Sequence, residues 1–373
     1  MGLTCEQYLS SYRNDFSFTY AFALAELEID VIIYMPSWYC RGLHQIDERV
    51  FVRFLPLSRW YWFWHRFPLI TRTKYGRYIA SYANAKAFAK PLHKSLSDDG
   101  VSALYIQEYW TARFDYLVRT LAVPVIGADQ GGSRNGQLTF AKRGSFKRAL
   151  AVASQSEDEC SEVRAFGCEP VFLTNGIDTF FWSPGQDVER AQTILIVARL
   201  TDRQKRISDL IRAMQYLPEP WFLEIAGTGP DEAVLRELSQ KLGIAHRVTF
   251  LGFVRDKKAL RDLYRRCGVY CMPSRSEAVA LAALEAMSCG CPIVVTNIRA
   301  FEKLVKDSET GFKVPVEDPK ELAKAITRAW VRRDELGAAA RQMVQDSYSM
   351  KVTAIRLRDL MRSARVDAGS ETA

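Results

Sequence analysis

Short β-branched runs alternate with amphipathic helical patterns along almost the whole chain, and that rhythm leaves few folds open. Uninterrupted apolar runs suit strands buried on both faces, so the alternation predicts parallel sheets covered by helices. In the first half the runs fall at 29–34, 50–54, 103–106, 123–127, 149–153 and 170–173; in the second at 193–197, 221–226, 248–251, 269–272 and 292–295. Helical spacing is clearest over 208–217, 232–242, 257–265 and 280–288. A Pro-Gly pair in Phe181-Trp182-Ser183-Pro184-Gly185 separates the two series. With 373 residues the chain is too long for one core. The expected architecture is therefore α/β, with two doubly wound Rossmann-like domains facing an interdomain cleft: residues 1–182, residues 183–345, and a C-terminal helix and tail, 346–373, packing back on the first domain. An alternating domain should open on a strand, yet residues 1–15 are polar and lead into a helix over 16–27. Either the native start lies upstream, or the first sheet lacks its opening strand and Gly-rich loop.

Charge is unevenly spread. The formal net charge is +8, and between Arg49 and Ser97 ten Lys/Arg occur with no Asp or Glu. Within that stretch lies Trp60-Tyr61-Trp62-Phe63-Trp64, flanked by Arg59 and Arg66. Three readings stay open. Arg59, Trp60, Trp62, Trp64 and Arg66 would suit contact with an anionic membrane surface, where rings and cations are both satisfied. The rings could instead fill the first core beneath a solvated basic face. Single-stranded nucleic acid would also suit stacking rings and cations, but no nucleic-acid motif accompanies them, and none is expected as a partner. No stretch joins a basic start, an apolar middle and a small-residue cleavage site, and the most apolar neighbourhood, 50–70, is broken by Arg53, Arg59 and Arg66. The expected location is the cytoplasm, with peripheral attachment to the inner membrane face. The eight cysteines contain no C-x-x-C pair and are expected to be reduced and buried; Cys267, Cys271, Cys289 and Cys291 fit no standard zinc spacing, so no metal is expected.

The residues that carry chemistry lie between 194 and 296. Arg199 and Lys205 follow a strand, at the end of the sheet where open α/β folds bind ligands, and such cations can hold phosphate oxygens. Glu277 precedes a helix that carries Glu285, with attachment points about 12 Å apart along the axis. Carboxylates acting on one glycosidic bond stand ~5–9.5 Å apart, so two hydroxyl-bearing rings of one ligand fit better. Residues 278–281 should offer N–H groups and a positive dipole end to an anion. The plainer readings are a dipole-stabilised carboxylate for Glu277 and a surface acid for Glu285, although Glu285 sits in the apolar run 281–287, where an unpaired carboxylate is costly.

This constellation resembles the C-terminal domain of the retaining, GT-B-fold glycosyltransferases of family GT4, also called glycosyltransferase group 1. The likeness rests on Arg199 with Lys205, on Glu277 and Glu285 as E-x7-E, and on the following Ala286-Met287-Ser288-Cys289-Gly290-Cys291-Pro292-Ile293-Val294. Asn175-Gly176-Ile177-Asp178, Ala226-Gly227-Thr228-Gly229-Pro230 and Leu251-Gly252-Phe253-Val254 support it. It implies a nucleotide-sugar co-substrate, UDP- or GDP-linked, and no cofactor. By that resemblance Arg199 and Lys205 neutralise the departing diphosphate and Glu285 binds the ribose. Glu277 with Ala278, Val279, Ala280 and Leu281 would hold the sugar, and the base would lie near Val254, with Gly227 in the donor loop. The acceptor, a lipid-linked or cell-envelope glycan, would be held by the N-terminal domain. Two departures stand out. The family has Gly-Phe-Gly where this chain has Ala278-Val279-Ala280, and Ala280 could narrow the sugar pocket. The family often places a histidine where this chain reads Ala128-Asp129-Gln130, so Asp129 or Gln130 would face the reacting sugar, unless they belong to a capped turn. A GT-B phosphorylase, a sugar-nucleotide epimerase and a non-catalytic binding subunit are the competing expectations. A dehydrogenase is disfavoured, because Gly227-Thr228-Gly229 lacks the third glycine of G-x-G-x-x-G.

Overall fold

The computed structural model describes residues 5–6, 9, 16–57, 73–129, 139–186, 188–277 and 279–370. The chain divides into two compact units, Met1–Thr174 with Met350–Ala373, and Asn175–Ser349. The division falls before the Pro-Gly pair because Ile177 bridges to Ser349 and Trp182 is buried within the second unit.

The first unit opens on α1 (Phe16–Ala25), an almost wholly apolar helix that buries Phe18, Tyr20 and Leu24. β1 (Val31–Ser37), β2 (Gly42–Asp47) and β3 (Val50–Pro56) form a three-stranded sheet in which β3 is central, parallel to β1 and antiparallel to β2. α2 (Lys74–Asp98), capped by the Thr73 hydroxyl, leads into β4 (Leu104–Gln107). α3 (Ala112–Thr120), β5 (Val125–Ala128), α4 (Thr139–Arg148), β6 (Ala151–Ser154), α5 (Glu157–Ala165) and β7 (Val171–Phe172) complete a parallel sheet ordered β4-β5-β6-β7. Ile126 of β5 and Leu173 beyond β7 pack with Met350, Ala354 and Leu357 of the C-terminal helix.

The second unit contains a six-stranded parallel sheet. Its elements are β8 (Ala191–Val197), α6 (Asp202–Lys205), α7 (Ile207–Ala213), β9 (Phe222–Ala226), α8 (Glu232–Lys241), β10 (Val248–Gly252), α9 (Lys257–Arg266), β11 (Cys267–Met272), α10 (Leu281–Ser288), β12 (Ile293–Thr296), β13 (Phe312–Val314), α11 (Pro319–Val331) and α12 (Arg333–Ser347). The order is β10-β9-β8-β11-β12-β13, which is the doubly wound order that reverses between the first and fourth strands. Successive strand residues point to opposite faces, so Ile194 and Ile196 enter one buried cluster and Leu195 the other. The last helix, α13 (Met350–Ser370), returns to the first unit.

Two expectations are corrected. β2 and β13 lie where no strand was read, and the first unit carries a separate three-stranded sheet beside its parallel one. Cys5 and Cys40 form a disulfide, whereas Cys160, Cys267, Cys271, Cys289 and Cys291 are free and buried, and Cys168 is free and half-buried. The basic stretch is also partly neutralised from outside itself: Arg49 pairs with Asp30 at 3.0 Å, and Arg53 holds Asp99, which accepts the Tyr34 hydroxyl at 2.7 Å. Lys86, Lys90 and Lys94 of α2 stay exposed.

Candidate active site

In a sheet of this order, ligands bind beyond the carboxyl ends of the two central strands, here β8 and β11. The loops leaving those ends are stitched together. The Arg275 N–H donates to the Gln204 carbonyl at 2.8 Å, and the Gln204 side-chain amide donates to the Ser276 carbonyl at 3.1 Å. The Tyr270 hydroxyl donates to the Val197 carbonyl at 3.4 Å. This stitching brings Lys205 and Glu277, 72 residues apart in sequence, into a two-pronged ion pair with Nζ 2.6 and 2.7 Å from the two carboxylate oxygens. The pair is well shielded, with side-chain exposures of 16% for Lys205 and 5% for Glu277. Glu277 Oε1 also accepts the Ser274 hydroxyl at 2.5 Å, and the Ser274 carbonyl accepts the Thr296 hydroxyl. Glu277 is thus oriented by side chains, not by a helix start, since α10 begins only at Leu281. Arg199 is exposed at the end of β8 and forms no ion pair with a described residue.

Glu285 lies one side of α10, where its carboxylate accepts the Tyr264 hydroxyl at 2.9 Å. Burial pushes its pKa up to about 7, against the opposing pull of the Tyr264 hydrogen bond and of Lys257. Tyr264 in turn packs edge-on against Trp182 and Tyr270, which fixes its ring. A carboxylate aimed from an apolar helix and oriented by one phenol is suited to bind a pair of vicinal hydroxyls.

The loop after β9 explains its own glycine. Gly227 has φ +133°, and a Cβ there would stand 1.9 Å from the Ala198 carbonyl oxygen. The loops after β8 and β9 approach this closely because the Leu200 N–H donates to the Thr228 carbonyl at 3.0 Å. Val254 is half-buried against the apolar cluster beneath α9 and α10, while Phe253 is exposed.

Of the expected row of open N–H groups before α10, the Leu281 N–H is engaged within the chain. Leu281 donates its N–H to the Val279 carbonyl at 3.0 Å, and Ala280, with φ −83° and ψ 62°, is the centre of an inverse γ-turn. Those angles lie in ordinary L-residue space, so Ala280 sits where the family's glycine would without backbone strain; its methyl is buried. Ala278 lies outside the described residues, as do Gln130 and the membrane-contact candidates Arg59, Trp60, Trp62, Trp64 and Arg66. Asp129 is buried at the end of β5, where its carbonyl accepts the Gln155 side-chain amide. The Tyr109 hydroxyl, 3.2 Å from Ser154 Oγ, is raised above its usual range by burial first and then by the Glu159 and Asp129 carboxylates. Among the described residues, no group of three or more His, Cys, Asp or Glu is arranged to hold a metal ion.

Ser274, Gln204, Thr296 and Tyr264 were not picked out from the sequence. Ser274 had a signal, three residues before Glu277; the other three depend on strand order.

Residues 180–345 match the family model of the glycosyl transferases group 1. An uncharacterized glycosyltransferase of Methanocaldococcus jannaschii is 37% identical over 44% of this chain and 42% of its own length. Phosphatidyl-myo-inositol mannosyltransferase of Mycobacterium leprae is 31% identical over 47% of this chain and 48% of its own. The chain spans about half or less of the length of these curated relatives. Among solved structures, sucrose-phosphate synthase from Thermosynechococcus elongatus superposes with a TM-score of 0.68 at 20% identity, covering 95% of this chain and 94% of that one. Anabaena HepE in complex with UDP superposes with a TM-score of 0.62 at 16% identity, over 84% and 86% of the two chains.

Proposed function

We propose that this protein, whose residues 180–345 match the glycosyl transferases group 1 model and whose fold is GT-B, is a retaining glycosyltransferase using a nucleoside diphosphate sugar. The observation that carries the reading is the Lys205–Glu277 pair at the strand-order reversal, with exposed Arg199 at the end of β8 and Glu285 on α10. Glu285 holds the ribose hydroxyls, Glu277 holds hydroxyls of the sugar, and the base lies against Val254. Arg199 and Lys205 face the diphosphate, whose charge grows as the bond from the anomeric carbon to the phosphate oxygen breaks, and fixed cations stabilise that charge without a metal or cofactor. The acceptor hydroxyl oxygen bonds to the same face of the anomeric carbon and its proton passes to the leaving phosphate, so configuration is kept. The UDP held by Anabaena HepE supports a uridine or related base.

The acceptor belongs to the N-terminal unit and is a lipid-linked or envelope glycan at the cytoplasmic membrane face. Exposed Lys86, Lys90 and Lys94 and the lipid named for the mycobacterial relative support that choice; no helix among the described residues is long and apolar enough to cross a membrane.

The test is ligand-induced stabilisation by UDP, GDP, ADP and their sugar conjugates, because a ligand that binds only the folded state raises the melting temperature. A base-selective shift that disappears in Arg199→Ala is the expected result. No shift with any nucleotide would remove the donor site.

A further inference from the structure

The ion pair with Glu277 already spends Lys205. Two of the three N–H donors of Lys205 point at Glu277, and the third has no partner among the described residues. Glu277 is nearly saturated as well: of about four lone-pair positions on a carboxylate, two take Lys205 and one takes Ser274. Both partners are largely out of water, so the pair is stronger than a surface ion pair and withholds Lys205 from the end of β8, where exposed Arg199 forms no ion pair with a described residue. Ser274, whose own carbonyl is tied to Thr296, also holds Glu277, so the carboxylate stays in place while the flexible lysine stem is the part able to move.

Resting on the donor-site reading above, we infer that Glu277 stores Lys205, and that sugar hydroxyls release it to the diphosphate by taking its place on the carboxylate. Diphosphate alone meets Arg199 but not a free lysine. A sugar-bearing donor supplies hydroxyl donors to Glu277, and the displaced ammonium turns to the phosphate oxygens beside it. Recognition of the sugar is thereby coupled to neutralisation of the leaving group, so a nucleotide without its sugar binds a site only partly charged for it.

Calorimetric titration of UDP and UDP-glucose, with GDP and GDP-mannose in parallel, tests this on the full chain, Glu277→Gln, Lys205→Met and the double variant. Glu277→Gln should tighten diphosphate binding at least about threefold while weakening the sugar conjugate, and the gain should vanish when Lys205 is also replaced. Glu277→Asp, one methylene shorter than the span to Lys205, should move diphosphate affinity in the same direction, and melting temperatures without ligand report whether each variant is folded. A diphosphate affinity that Glu277→Gln leaves unchanged, or a gain that persists without Lys205 and so reflects only the removed negative charge, overturns the inference and leaves the donor site standing. Absence of nucleotide binding in every protein overturns the donor site and the inference together.

Discussion

Glu285 shows how one residue can be both costly and useful. Its carboxyl titrates near 7 because burial penalises the charge more than the Tyr264 hydroxyl rewards it. Its ordinary value is 4.5, so the folded state binds the proton more tightly than the unfolded chain. The charged form therefore destabilises the fold: the penalty is absent below about pH 4.5, grows through the window up to 7, and is full above it. Glu285→Gln should raise stability by about 1–3 kcal/mol near pH 8 and leave it unchanged near pH 4.5, read as the difference in melting temperature across that range. Donor binding should run the other way, strengthening as pH rises through 7 in the parent and staying flat and weak in the glutamine variant. A parent profile without that rise would detach the carboxylate from the ribose. The residue was visible in sequence because an acid stood in the apolar run 281–287; its partner Tyr264, 21 residues back, was not, since only the packing of α9 on α10 brings the two together. Gly227 gives a second prediction of this kind. With the Ala198 carbonyl 1.9 Å from where its Cβ would stand, Gly227→Ala must open the loop after β9, and denaturant unfolding should register a loss of about 2–4 kcal/mol.

Strands buried on both faces announce themselves as apolar runs, and for that reason most of the second sheet was legible to within a residue or two, from β8 to β12. The elements that escaped have no such run. β2 is an antiparallel edge with exposed positions, and β13 has only three residues. Ties between elements were hidden too. Lys142 of α4 is fully buried and donates to the carbonyls of Tyr109 and Thr111 and to Asp115 of α3, at 2.8–2.9 Å. Asp115 also accepts the Tyr78 hydroxyl from α2 at 3.1 Å, so one carboxylate ties together three helices of the first unit. Lys142→Met strands a buried carboxylate and should cost about 3–5 kcal/mol, whereas Lys142→Met with Asp115→Asn should recover most of that loss. Chemical denaturation of the three proteins checks it; equal losses in the single and double variants would mean that packing, not charge, sets the penalty.

At the scale of the whole molecule the two units differ in how they are closed along the chain. Asn175–Ser349 is continuous and holds both of its apolar clusters, the complete β10-β9-β8-β11-β12-β13 sheet, and Arg199, Lys205, Glu277 and Glu285. The first unit is discontinuous: Met1–Thr174 is completed by α13, which buries Met350, Ala354 and Leu357 against Tyr20, Leu24, Ile126 and Leu173. Each large apolar side chain so buried contributes ~1.5–3 kcal/mol, so losing Met350 and Leu357 alone removes ~3–6 kcal/mol, a large share of a domain's ~5–15 kcal/mol. Ending the chain at Ser349 should therefore unfold the first unit and leave the second intact. The shortened protein is expected to bind nucleotide with affinity within about threefold of the parent while transferring no sugar, and Leu357→Ala in the full chain should weaken the first unit by about 2–5 kcal/mol with nucleotide affinity untouched. Calorimetry for binding and a transfer assay for activity separate the two effects. If cutting at Ser349 abolished nucleotide binding along with transfer, the donor site would depend on residues beyond the continuous unit, and the assignment of the whole donor machinery to Asn175–Ser349 would fall.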